Sequence, residues 1–389
     1  MKLTEDSKNI IKFIKSNFYN TEYKLSKTNI KFFTNILKLA NKALNKWQDI
    51  KKNVTLSSST ITDFHDIPFI IKNDIINNYL NKISFDIKIN DKIFTINLYF
   101  IVLPKDNIIL NIFKKIYIWF YIACHFSTTT NNNFNINIYF TEHKKNLPIN
   151  DDKLDVIHVN SAFTNPCSNS PSVFIFRNEE WFKVLIHETF HNMGFDFSCI
   201  DSSIPDRVVY MITKMKKNDI RSFEAYTECW ANIINMLFTA FYSTRVKSNY
   251  NLMIQKFQSF IPIEINFSLI QLVKILDHYD IKYSDVYSDS PQAIINKSKY
   301  SEKTYVVSYF IIKIIFLFHF NYFVEWCLEN NNNTFVFNKS KKNINNFSNL
   351  IFSLYKTPEF INKIKLIENI EINDEFIKNT CRMSVFEIM

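Results

Sequence analysis

Residues 178–196 read NEEWFKVLIHETFHNMGFD. Trp181, Phe182, Val184, Leu185, Ile186, Phe190 and Met193 put apolar groups on most sides of this segment. That pattern predicts a buried helix over about 179–193. Asn178 is placed to cap its start, with Glu179 and Glu180 at the positive end of the helix dipole. Gly194, the one glycine in the chain, falls where a left-handed residue ends a helix. Into this apolar surface are set His187, Glu188 and His191, which cannot be buried cheaply without partners. His187 and His191 are one turn apart, so both imidazoles leave the same face and can grip one cation. Zinc takes nitrogen ligands in a tetrahedron and, in catalytic sites, keeps a position open for water. Glu188 flanks that position, where it can take the proton of the activated water as it attacks a carbonyl.

Two histidines need a third ligand. Counting on from Gly194 in the metzincin manner reaches Phe197, which cannot bind metal, and Asp196 is one residue short. An aspzincin-type segment would need another glycine. What remains is a glutamate on a later helix, and residues 222–232 read SFEAYTECWAN, inside a helix expected over about 222–240. Glu224 and Glu228 are again one turn apart. One carboxylate can bind the metal while the other holds the second ring nitrogen of a ligand histidine. Glu224 as ligand with Glu228 behind it is the assignment expected, with the reverse left open. Ala231 is small enough to let the two helices approach. Asp196 either orients a ligand or caps a turn.

Around these helices the period of the sequence changes. Helices are expected at 5–16 and 26–52, and a connection at 54–68. A hairpin is expected from 83–89 and 93–102 about Asn90-Asp91. A helix follows at about 108–126, then strands at 134–140, 156–159 and 173–177. The C-terminal third is mainly helical, with a loop at the asparagine run 330–333. Strands followed by helices predict an α+β fold, divided as 1–82 (helical), 83–245 (catalytic core) and 246–389 (helical lobe).

Composition narrows the function classes. The net charge is +9, yet the lysines are spread along the chain and form no basic stripe, so no specific nucleic-acid partner is expected. The apolar stretches 108–126 and 305–328 carry charged residues at mid-span, which favours core helices over membrane spans. The first residues, MKLTEDSKNI, lack an apolar signal region, so secretion is not expected. Six cysteines (124, 167, 199, 229, 327 and 381) show no paired spacing and read as reduced thiols of an intracellular protein. No oligomeric state follows from the sequence.

HExxH at 187–191 followed by ExxxE at 224–228 resembles the gluzincin branch of the zincin metallopeptidases. More closely, IYIWFYIACHFS (116–127), FNINIYFTEHKKNLP (134–148), VNSAFTNPC (159–167) and FRNEEWFKVLIHETFHNMGFDFS (176–198) are similar to an uncharacterised group of metallopeptidases encoded by large DNA viruses. The resemblance covers roughly residues 95–245, and the ends only loosely. It implies a zincin-like fold: a small mixed sheet packed on the HExxH helix, with a largely helical C-terminal lobe. It also implies Zn2+ held by His187, His191 and Glu224, Glu188 as catalytic base, Glu228 as brace, and a peptide or protein substrate in the host cytoplasm or virion. Zincin architecture further places strand 173–177 at the cleft edge, 160–164 along the cleft, and an oxyanion donor in the later lobe, for which Tyr309 is a candidate. Two other readings compete: a metal-holding virion component without catalysis, and a basic nucleic-acid-binding protein in which the motif is incidental. The intact Glu188 argues against the first and the scattered lysines against the second.

Overall fold

The computed structural model describes residues 2–18, 22–47, 55–58 (as backbone), 66–149, 153–215 and 220–388. Two helices open the chain, α1 (Glu5–Asn17) and α2 (Lys27–Trp47). Thr4 caps α1 through its side chain. The segment expected as a plain connection at 54–68 holds a strand, β1 (Thr55–Ser58), so the N-terminal region is not wholly helical; residues 59–65 lie outside the described ones. A helix not foreseen, α3 (Phe69–Asn78), starts directly after Pro68, whose fixed φ suits a helix entry.

The hairpin forms as expected from β2 (Asn81–Ile89) and β3 (Lys92–Phe100). Asn90 takes the left-handed conformation, φ 56°, which asparagine tolerates in a tight turn. From β3 the chain crosses through α4 (Asp106–Phe126) to β4 (Asn133–Tyr139), parallel to β3. Residues 156–159, expected as a strand, form instead one helical turn, α5 (Val156–Val159). Asp155 and His158 close a capping box there, outweighing the strand preference of the β-branched residues. The strands β5 (Ala162–Thr164) and β6 (Ser172–Ile175) complete a six-stranded mixed sheet of order β1-β2-β3-β4-β6-β5. The edge beside the motif helix is therefore β5. Strand β6, expected at that edge, is interior, parallel to β4 and antiparallel to β5.

The pleat divides the sheet's side chains between two layers. Phe94, Ile96, Leu98, Ile136 and Ile138 enter the main core with α4 and the motif helix. Tyr99, Tyr139 and Phe176 pack on the other face, under Ile71 and Ile75 of α3. The motif helix is α6 (Trp181–Asn192), buried on all sides. It is followed by α7 (Ser203–Thr213), α8 (Ser222–Ser243) and α9 (Tyr250–Asp277), then by shorter helices to Asn379. One hydrophobic cluster runs from Ile10 to Phe386 across the boundaries drawn at 82 and 245.

Among the described residues two helices, Asp106–Phe126 and Tyr250–Asp277, are long and apolar enough to cross a membrane. A third candidate is Ser308–Phe318 with Phe320–Asn330, bent by 92°. Of the most apolar windows in the first two, 61% and 83% are buried within the protein.

The segment after Asn379 is extended and buried, and side chains of the core helices hold its backbone. Asn232 donates to the Met383 carbonyl at 2.8 Å, Asn235 to Phe386 at 2.6 Å and Gln271 to Arg382 at 2.7 Å. Glu264 accepts the Val385 amide at 3.0 Å. The cysteines depart from the expectation of reduced thiols. Cys167 and Cys199, both exposed, form a disulfide, while Cys124, Cys229, Cys327 and Cys381 are free. The bridge joins the β5–β6 loop to the segment that follows α6, which sequence spacing alone does not reveal.

Candidate metal centre

Helix α6 enters through a turn that departs from the expected cap. Asn178 accepts the Trp181 amide with its main-chain carbonyl, and Glu180 sits at the N-cap in the left-handed conformation, φ 60°. Glu179 and Glu180 do not serve as solvated acids at a helix end. Glu180 pairs with Lys145 and accepts the Ser384 amide at 2.6 Å, and Glu179 accepts the Lys145 amide at 2.9 Å. At the far end Gly194 has φ 69°, the left-handed stop expected of it. A side chain there would be strained, and its Cβ would lie 3.3 Å from Lys339 Nζ.

Across from α6 runs α8, equally buried. The Nε2 atoms of His187 and His191 are 3.2 Å apart. Glu224 Oε2 lies 3.1 Å from the first and 3.5 Å from the second. Ligand atoms about 2.1 Å from one tetrahedral zinc lie about 3.4 Å from one another, so this triangle has close to the dimensions of a zinc ligand set. Glu228 stands behind it. Its Oε2 is 2.9 Å from His187 Nδ1, and its Oε1 accepts from Lys183 Nζ at 2.5 Å. His191 Nδ1 meets Asp196 Oδ2 at 2.5 Å, and that oxygen also accepts from Thr227 Oγ1 at 3.1 Å. Both imidazoles therefore present Nδ1–H to a carboxylate. That tautomer leaves each Nε2 with its lone pair facing the other and facing Glu224.

With both imidazoles neutral in that tautomer, the three atoms are all acceptors and call for a positive charge, a proton or a cation, at their centre. Among the described residues this is the group whose ligand atoms lie close enough to share one ion. The electrostatics agree. Burial disfavours a charged imidazole, yet hydrogen bonds that His187 donates to Glu224 and Glu228 hold it up at about 9. Asp196 and Glu224 raise His191 well above its usual range against the same burial. Glu224 is buried, but the two imidazoles hold its carboxyl far below the ordinary value. A divalent cation satisfies the same demand without protonating either ligand.

Glu188 lines the cleft that opens over this point, and burial raises its carboxyl above the ordinary value. The cleft has a volume of about 940 Å3. Asn160 and, on β5, Ala162, Phe163 and Thr164 line it, as expected for 160–164. Arg221, Tyr305 and Tyr309 also line it, as do Phe69 and Ile70 of α3. Tyr309 lies on a π-helical turn, Ser308–Ile312, and donates to Glu224 Oε2 at 3.2 Å. Short π-helical turns often mark functional sites.

His187, Glu188, His191, Glu224, Glu228 and Tyr309 are thus brought together. Phe197 is buried among Phe223, Phe337 and Phe347, away from ligand duty. Sequence reasoning passed over Lys183 and Thr227. Lys183 could have been found: a lysine inside an otherwise apolar helix, one turn before His187, needs a buried counter-charge. Comparison with protein families, with curated proteins and with solved structures returns no match for this chain.

Proposed function

We propose that this chain is a zinc-dependent metallopeptidase of gluzincin type, with His187, His191 and Glu224 as ligands, Glu188 as general base and Glu228 as the brace of His187. The observation that carries the proposal is the convergence of three lone-pair-bearing atoms, 3.1 to 3.5 Å apart, beside a buried glutamate in an open cleft.

When bound, zinc supplies Lewis acidity, polarising a carbonyl and making water acidic near neutral pH. Glu188 accepts the proton of the attacking water and returns it to the leaving amine, which its raised carboxyl pKa favours. The Tyr309 hydroxyl, turned from Glu224 Oε2 toward the cleft, would be a donor for the developing oxyanion.

A peptide is favoured as substrate by the state of the sheet edge. Phe176 N–H donates to the Ser161 carbonyl. In an antiparallel pair such bonding alternates, so Phe163 bonds to Phe174 while Ala162 and Thr164 turn their N–H and C=O outward. Both line the cleft, where an extended peptide can add as a further strand. In the same reading α4 and α9 are core helices and not membrane spans, on the strength of their burial.

The test is metal analysis of the purified protein beside four variants. About one zinc per chain is expected in the wild type, loss in His187→Ala and Glu224→Gln, and weakened retention in Glu228→Gln. Glu188→Gln should keep its zinc and lose hydrolysis of a peptide library. A Glu188→Gln protein that still cleaves peptides removes the mechanism, and a wild type that binds no zinc removes the proposal.

A further inference from the structure

Between β5 and α6 lies a second, smaller cavity of about 40 Å3. It shares Asn160, Ala162, His187, Glu188 and Tyr309 with the main cleft. Its other walls include Ser161, Lys145 and Lys183, all three buried. An ammonium has three N–H donors. Lys145 donates to Glu180 and Lys183 to Glu228, which leaves donors on both. Ser161 is 5% exposed, and its hydroxyl has no hydrogen-bond partner. Of the carboxylates on the cavity wall, Glu228 has both oxygens engaged and Glu188 has the catalytic proton to handle. Glu188 apart, the side chains on this wall offer more unused donors than unused acceptors.

We propose that this cavity is the subsite for the substrate side chain next to the scissile bond, and that it selects a small side chain bearing an acceptor oxygen: serine, threonine, asparagine or aspartate. The inference rests on the peptidase reading above. Position argues for it first. The cavity adjoins both Glu188, where the bond is cut, and Ala162, whose outward N–H and C=O would hold the substrate backbone. Side chains alternate across an added strand, so one of those flanking the bond is directed between the edge strand and the motif helix. Size argues second. The space admits about three water-sized groups, and so side chains of two to four non-hydrogen atoms. Donor balance argues third. An apolar side chain would strip water from the Ser161 hydroxyl and the lysine ammoniums without replacing its hydrogen bonds, a mismatch that polar sites reject strongly.

The experiment presents the zinc-loaded full chain with an equimolar library of peptides varied at the two positions flanking a central bond, with products identified by mass spectrometry. We expect kcat/KM for the four acceptor-bearing residues to exceed that for leucine and phenylalanine by about tenfold or more on one side of the cut. Calorimetric binding of the serine and leucine peptides to Glu188→Gln should follow the same order. Ser161→Ala, which has no hydrogen bond to lose in the fold, should lower the serine-to-leucine ratio at least about fivefold. Lys145→Met should do the same where it folds. Cleavage that favours leucine or phenylalanine, or a ratio untouched by Ser161→Ala, overturns the subsite and leaves the peptidase standing. Zinc-loaded protein that cuts no member of the library overturns the peptidase reading and the subsite with it.

Discussion

Asp196 stands between the two sides of the centre. One of its oxygens takes His191 Nδ1 and the Thr227 hydroxyl of α8, and the other takes the amide and hydroxyl of Ser198. It therefore both holds a turn and orients the His191 imidazole, the two kinds of role the sequence left as alternatives. Asp196→Asn removes the charge while keeping the shape, and zinc affinity should fall about 10- to 100-fold, measured by competition with a fluorescent chelator. An unchanged affinity would reduce Asp196 to its part in the turn. At this scale the motif itself was legible because helical spacing is local: one turn separates His187 from His191, and Glu224 from Glu228. The supports were less legible. Asp196 reaches back to His191 only because Gly194 turns the chain with positive φ, and Lys183 finds Glu228 only once α6 and α8 are packed. Neither relation is a matter of spacing along the chain.

Elements are legible in the sequence where one period dominates, as in the 83–102 hairpin and in α4 and α8. They were misread where neighbours in space decide. Val156 to Val159 carry strand-forming residues, but the Asp155–His158 capping box makes a helical turn. Strand β6 was expected at the edge because it directly precedes the motif helix, whereas sheet order depends on how the 160–172 segment folds back as β5. The Cys167–Cys199 bridge pins that fold-back. It ties the β5–β6 loop to the exit of α6 across 32 residues, a closure that stabilises by roughly 3–4 kcal/mol on chain-entropy grounds. Cys167→Ser/Cys199→Ser, or the wild type in a phosphine reductant, should therefore unfold at distinctly lower urea. Coincident unfolding curves would show that the link contributes nothing.

Across the whole molecule, buried charges join the motif helix to the chain's last segment. Glu180 receives Lys145 and the amides of Met383 and Ser384, and Arg382 pairs with Glu387 at 2.9 Å. Burial alone would raise the Glu180 carboxyl, but Lys145, Lys183 and Arg382 bring it from 4.5 down to about 2. A carboxyl held below its unfolded value contributes stability that is fully present above that value. Its contribution is therefore intact above about pH 4.5 and is lost as pH falls toward 2. Glu180→Gln should cost about 3–5 kcal/mol near neutrality, as expected for breaking a buried pair. The gap from wild type in urea midpoint should narrow steadily between pH 4.5 and pH 2.5. A gap that stays constant with pH would mean the charge itself does nothing. None of this network was visible beforehand, because Glu180 and Ser384 lie 204 residues apart.

That distance has a consequence during synthesis. Chains emerge from the ribosome N-terminus first, so α6 and α8 are exposed long before residues 380–388 exist to receive Glu180, Asn232 and Asn235. Until then the helices that carry His187 and Glu224 lack one of their walls, and the packing around the two imidazoles waits on the far end of the fold.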